Sequence, residues 1–187
     1  MARFEFMECP LEGACLIKGG FSSDARGCFY KDFEENEYSA GRLPFHCTES
    51  FYSVSGKHVL RGLHFQTRNP QAKLVTVIQG CVFDVIVDLR KGSRTFGRWF
   101  SAVLSDENRH VFYIPKGFAH GFLALGENSV VSYKCDGKYC PGSDSGIRHD
   151  DLDLQIEWPV RGRDCIVSER DRKLMAFREF IRDYGGL

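Results

Sequence analysis

Between Arg61 and Val75 the chain reads RGLHFQTRNPQAKLV, which sets Arg61, His64 and Lys73 among strand-forming apolar residues. Further along, Tyr133 lies in VVSYKC and His120 in FAHGF. A histidine that titrates near neutral pH can act as a general base. A lysine ammonium can stabilise an oxyanion, and a tyrosine hydroxyl can donate a proton. Together these are the parts needed to remove a proton beside a carbonyl and return it on the other face. Each also has a plainer reading. His64 and His120 would be satisfied structural histidines, Lys73 a strand end in water, Tyr133 a core residue, and Arg26 in DARGCF a solvated charge. A metal-dependent oxygenase or isomerase would need two or three histidines and a carboxylate around one ion. No HxH or HxxxH occurs, and neither His64 nor His120 has a ligand partner nearby in sequence, so no metal is expected.

These residues have to be positioned by β-structure. On a half-buried strand Arg61 and Leu63 should face one way, and Gly62 and His64 the other. KLVTVIQGCVFDVIVDLR reads as a hairpin around Gln79-Gly80. RWFSAVL, HVFYIP, FAHGFLAL and SVVSYKC follow, separated by SDEN, Pro115-Lys116-Gly117 and Gly126-Glu127-Asn128. Short strands with no helices between them imply a sandwich or barrel rather than a parallel α/β sheet. Helix is expected only at the ends. DFEENEYSAGR is a short one closed by Gly41. SERDRKLMAFREFIRDY is a single longer one, with Leu174, Phe177, Phe180, Ile181 and Tyr184 on one face. Ser168 and Asp171 stand as a variant capping pair at its start.

The 187 residues suit one domain over 1–187, long enough to bury a core. A formal net charge of zero removes the electrostatic case for nucleic acid. No apolar run approaches the ~18 residues of a membrane span, and MARFEFMECP is not a signal peptide, so a cytoplasmic location is expected. The eight cysteines include no CxxC pair, and CDGKYC is not a zinc-knuckle spacing. Mostly buried thiols are expected rather than disulfides or a zinc site.

The chain resembles the dTDP-4-dehydrorhamnose 3,5-epimerase family from about Glu5 to Arg172. The resemblance rests on VLRGLHFQ (59–66), PQAKLV (70–75), FDVIVDLRKGSRTFG (83–97), LSDENR (104–109), IPKGFAHGF (114–122), SYK (132–134), DSGIRHDD (144–151) and SERD (168–171). It implies a mostly β, cupin-type jelly-roll barrel with short helices at the ends. It also implies a homodimer, no cofactor, and a nucleoside-diphosphate 4-keto-6-deoxy sugar as substrate. By the same resemblance His64 is the base at C3 or C5 and Asp171 its partner. Lys73 stabilises the enolate oxygen at C4, and Tyr133 is the opposed acid. Arg61 and Arg26 meet the diphosphate, Arg26 from the partner subunit. His120 lies along the sugar pocket and Tyr139 near the nucleotide. Such a ligand would explain cations inside a sheet, since burying them unpaired costs several kcal/mol.

Three positions expected to bind the nucleotide depart from the family pattern. Lys31, in RGCFYK, stands where glutamate is common. Cys47 and Glu49, in FHCTESFYS, stand where a QDN sequence is common. The swap of charge between Lys31 and Glu49 suggests an exchange within one pocket. The loss of the usual Glu, Gln and Asn together, with the catalytic set intact, suggests a base other than thymine. Single-centre epimerisation, ketoisomerisation and non-catalytic sugar-nucleotide binding are the other outcomes the same residues would allow.

Overall fold

Alternating apolar residues along the strands sort the chain into two layers. The computed structural model describes residues 4–41, 43, 45–160 and 164–187. Its strands, in chain order, are β1 (Glu5–Glu8), β2 (Cys15–Lys18), β3 (Gly20–Asp24), β4 (Gly27–Lys31), β5 (Glu49–Ser55), β6 (Val59–Gln66), β7 (Ala72–Gln79), β8 (Cys81–Asp88), β9 (Trp99–Ser105), β10 (His110–Ile114), β11 (Phe118–Ala124), β12 (Ser129–Asp136), β13 (Asp144–Gly146) and β14 (Ile166–Val167). The first sheet runs β1-β2-β10-β7-β12-β5; the second runs β13-β6-β11-β8-β9, with β14 beside β6. Strands β3 and β4 form a separate two-stranded arm. This is the mostly β jelly roll expected.

Val75, Val77, Phe112 and Val131 of the first sheet pack between the layers against Val82, Ile86, Leu104 and Phe122 of the second. Each such side chain contributes roughly 1.5–3 kcal/mol on burial. Helix α1 (Glu35–Ala40) covers the outside of the first sheet through Tyr38, and Gly41 closes it as expected. The outside of the second sheet is covered by α3 (Phe177–Tyr184) through Phe177 and Phe180.

Two expectations are corrected. KLVTVIQGCVFDVIVDLR is not a hairpin: β7 belongs to the first sheet and β8 to the second. A single residue, Gly80 at φ +86, separates the two strands. A tight hairpin loop needs two, so the chain turns a corner between layers instead. SERDRKLMAFREFIRDY is not one helix either. It forms α2 (Glu169–Arg172), then a break, then α3. In the break the Met175 carbonyl accepts a hydrogen bond from the Arg148 N–H, and the Asp151 carboxylate accepts from the Phe177 N–H. These partners outside the helix take backbone groups that a continuous helix would use itself. Phe177 and Phe180 are buried, while Ile181 and Tyr184 are exposed.

Strand β6 carries the feature that matters most for position. His64 lies opposite His120 and Arg61 opposite Phe122, so three steps on β6 match two on β11. That extra residue is a bulge, and it breaks the two-residue alternation. Gly62, at φ +118, occupies it, and the Gly62–Leu63 peptide is cis. A Cβ on Gly62 would stand 2.5 Å from the Gly121 Cα and 2.8 Å from the His120 carbonyl oxygen. Gly62→Ala therefore meets both a left-handed backbone and another strand's main chain. It is expected to lose ~2 kcal/mol or more of stability. Thermal unfolding would read this, and an unchanged melting temperature would refute it.

Candidate active site

The bulge undoes the expected opposition of Arg61 and His64. Both line one cavity, of about 320 Å³, together with Ser53, His120, Tyr133 and Asp171. An adjoining cavity of about 360 Å³ is lined by Glu49, Gln66, Gln71, Phe118, Tyr139 and Asp144. Phe51, His64, Lys73 and Arg170 stand in the walls of both.

His64 is fixed from one side. Its Nε2 lies 2.9 Å from Asp171 Oδ1, and Asp171 Oδ2 accepts the Gly62 N–H at 3.0 Å. An ionised carboxylate only accepts, so Nε2 carries the hydrogen and the lone pair is left on Nδ1. Ser168 does cap α2, its hydroxyl accepting the Asp171 N–H at 3.0 Å. Asp171 does not return the bond, because its carboxylate is spent on His64 and Gly62. Burial pushes the Asp171 pKa up, but the hydrogen bonds from His64 and Gly62 outweigh it, and the net shift is downward.

Lys73 and Tyr133 come from the other sheet. Lys73 shares the inward phase of Val75 and Val77 on β7, and Tyr133 that of Val131 on β12. Burial lowers the Lys73 pKa, while Cys135, Asp144 and Asp84 act to raise it. Burial raises the Tyr133 hydroxyl well above its ordinary range. The Asp84 charge adds to this, and Ser53 and Arg61 pull the other way. Tyr133 also stacks on Phe51, centroids 4.8 Å apart, and meets the His120 ring edge to face. His120 is 4 % exposed, and its Nε2 lies 2.9 and 3.0 Å from the two oxygens of Asp84.

Arg61 is an exposed side chain at the cavity mouth rather than a buried cation. It donates to Ser55 Oγ at 3.0 Å and to the Val54 carbonyl at 3.3 Å. The burial-cost argument thus applies to Lys73 and not to Arg61. Tyr139 lines the cavity, its hydroxyl donating to Asp144 Oδ2 at 3.0 Å. Glu49 lines it too and accepts from Gln71 Nε2 at 3.2 Å.

Three predicted binding residues lie outside both cavities. Arg26, its side chain 90 % exposed, caps the turn of the β3–β4 arm and pairs with Asp24 at 2.6 Å. Lys31, at the foot of the arm, lies 3.3 Å from Glu34. Cys47 is exposed, its thiol directed to the Glu49 carbonyl at 3.6 Å. Within one chain Glu49 lines a cavity and Lys31 does not.

Sequence reasoning missed Arg170, Asp144 and Asp84. Arg170 stands beside Asp171 in SERD and donates to Asp144 Oδ2 at 2.6 Å. Asp84 was legible as the one acid within the apolar run FDVIV. The thiol expectation is met only in part: Cys15 and Cys135 are buried, but Cys28 and Cys47 are exposed. Among the described residues no cluster of metal ligands forms, and no helix is long and apolar enough to cross a membrane.

Residues 8–179 match the dTDP-4-dehydrorhamnose 3,5-epimerase family. The enzyme of that name from Methanothermobacter thermautotrophicus is 48 % identical over 180 residues, covering 96 % of this chain and 97 % of the relative. The crystal structure of dTDP-4-dehydrorhamnose 3,5-epimerase from Elizabethkingia anophelis superposes with a TM-score of 0.90 at 40 % identity, over 95 % of this chain and 98 % of that one. The Legionella pneumophila dTDP-6-deoxy-D-glucose-3,5-epimerase, solved in complex with dTDP-4-keto-L-rhamnose, gives 0.90 at 38 % identity, over 94 % of each chain.

The lowered Asp171 pKa has a definite sign. It stabilises the folded state above the unfolded value of ~3.9, and that contribution is lost as pH falls through the lower folded value. Asp171→Asn should therefore melt at a lower temperature than the wild type near neutral pH and almost together with it at the acid end. Parallel curves at all pH values in a melting series would contradict this.

Proposed function

The chain belongs to the dTDP-4-dehydrorhamnose 3,5-epimerase family, and from that premise we propose that it inverts C3 and C5 of a dTDP-linked 4-keto-6-deoxyhexose for deoxysugar synthesis. The observation that carries this reading is the placement of His64 on one sheet and Tyr133 on the other, with Lys73 in the same cavity.

His64 Nδ1 takes the proton from the carbon beside the C4 ketone. The C–H electron pair moves into the ring, and the C4 oxygen becomes an enolate oxygen. The Lys73 ammonium holds that charge. Tyr133 gives its proton to the opposite face of the carbon, the ketone re-forms, and the centre is inverted. The high pKa of Tyr133 means that the phenolate regains a proton readily from water, while the imidazolium of His64 releases one. The second centre repeats the same steps. The sequence is redox-neutral and asks for no cofactor. His120 and Tyr139 flank the sugar and nucleotide, and Arg61 meets the diphosphate at the mouth.

The nucleotide is taken as dTDP. Lys31, Cys47 and Glu49, which depart from the family pattern, are the reason to test the base directly. A binding series with dTDP, UDP, CDP and GDP decides this, and clear preference for a base other than thymine would overturn it.

We further propose a homodimer, acting in the cytoplasm, in which the β3–β4 arm carries Arg26 and Lys31 toward the partner's cavity. The arm's exposed residues Arg26, Cys28 and Phe29 support this. Mixing Arg26→Ala and His64→Ala proteins should then restore activity that neither has alone. No recovery in a mixture shown to exchange subunits would refute the crossing.

In deuterium oxide the wild type should place deuterium at both C3 and C5 of the product, read by NMR. Deuterium at one carbon only would make it a single-centre epimerase. A product with the ketone moved would make it a ketoisomerase, and no exchange would leave a binder. His64→Ala should lose exchange at both carbons. Tyr133→Phe should lose inversion by ~10²–10⁴-fold while exchange by His64 persists. Full activity of either variant would refute its assigned role.

A further inference from the structure

Asp84 is 0 % exposed and lines neither cavity, yet it is an acid placed in the midst of the proton-handling residues. It stands on β8 in the inward phase of Val82 and Ile86. On β8's own sheet it lies opposite Phe122 of β11 and the uncharged Ala102 of β9, and it holds the His120 ring by both carboxylate oxygens. Burial pushes its own pKa up, and His120 and Lys73 act to bring it down. Across the barrel its charge acts on Lys73 of β7 and Tyr133 of β12. Cys135 of β12 and Asp144 of β13 also face Lys73, and Arg61 of β6 also acts on Tyr133.

We infer that Asp84 is a positioning residue for the reaction: one buried carboxylate that orients His120 through both oxygens and keeps Lys73 and Tyr133 in their proton-bearing forms. The inference rests on the epimerase reading above. A negative charge near a developing enolate works against the enolate, so Asp84 is poorly suited to act on the sugar directly. It is well suited to act on the two donors. A buried amine without a counter-charge sheds its proton, and a neutral Lys73 would leave the enolate oxygen uncompensated. A nearby carboxylate also adds to burial in disfavouring the Tyr133 phenolate. Burial makes one carboxylate effective on both, because the low-dielectric interior screens it weakly. Asp171 holds the residue that accepts a proton; Asp84 does the corresponding work for the residues that carry one.

Asp84→Asn tests this, since the amide oxygen can still accept the His120 N–H while the charge is gone. With lysine labelled at Cε, NMR would follow the Lys73 titration in the substrate-free protein, assigned by its absence in Lys73→Arg. The Lys73 midpoint is expected to fall by about one pH unit or more, and the alkaline limb of the kcat profile to move down with it. At slightly alkaline pH kcat should fall by about tenfold, with KM within about threefold of the wild type. An unmoved Lys73 midpoint, or a kcat reduced by one factor at every pH, would reduce Asp84 to a structural group. Should Asp84→Asn not fold, the wild type still decides: a neutral Lys73 amine at pH 7.5 overturns the inference. Because the titration needs no substrate, a wild type that fails to epimerise would count against the epimerase reading and leave this result separately measured.

Discussion

One carboxylate joins the start of α2 to the bulge of β6. Asp171 takes the His64 ring on one oxygen and the Gly62 N–H on the other, so the histidine and the backbone irregularity that aims it are clamped by the same group. Without the bulge, Arg61 and His64 would obey strand alternation and face opposite layers, and the cavity would keep one and lose the other. Gly62 is there because no side chain fits against Gly121. Gly121 is there for the matching reason, since its own Cβ would stand 2.6 Å from the Arg61 carbonyl. Two glycines on adjacent strands thus set the direction of the His64 ring.

Around that clamp the interior is divided sharply. At one end of the barrel Val75, Ile86, Phe112 and Leu104 make an apolar core. At the other, the same inward positions are occupied by Lys73, Tyr133, His120 and Asp84. Each strand therefore runs from packing to chemistry, and the rigidity that holds the donors comes from the valines a turn of pleat away. The two buried acids are not interchangeable. Asp171 keeps its charge because hydrogen bonds outweigh burial. Asp84 is pushed upward by burial despite His120 and Lys73, so its charge depends on the neighbours that it in turn supports.

Much of this was legible in the sequence, and the failures have physical causes. The strands were readable because Val, Ile and Phe alternate with polar residues. Lys73 and Tyr133 do line the cavity, because β7 from Lys73 to Val77 and β12 from Val131 to Tyr133 keep the two-residue alternation, and His120 lines it from β11. Arg61 and His64 were assigned to opposite faces because a bulge has no signature beyond a glycine, and glycines are common in strands for other reasons. The false hairpin at Gly80 arose because two apolar runs around a turn look the same whether the turn closes a ladder or crosses between sheets. The long C-terminal helix was overread because helical periodicity survives the break: Asp151 and Arg148, distant in sequence, hold its backbone open. Arg26, expected to act from a partner subunit, and Lys31 lie on the β3–β4 arm, and Cys47 is exposed, so none of the three lines the cavity of its own chain. Residue type could not show that β3 and β4 pair only with each other.

The two-layer architecture bears directly on stereochemistry. A ligand between two sheets necessarily turns one face to each. His64 belongs to β6 in the second sheet; Tyr133 and Lys73 belong to β12 and β7 in the first. A base and an acid drawn from different layers approach a flat enolate from opposite sides without further design, whereas two groups on one sheet would return the proton to the face it left. Inversion is then a consequence of which strands carry the residues. His120, fixed by Asp84, stands in the wall of the same cavity. The proposed inversion thus rests on the layer to which each residue belongs.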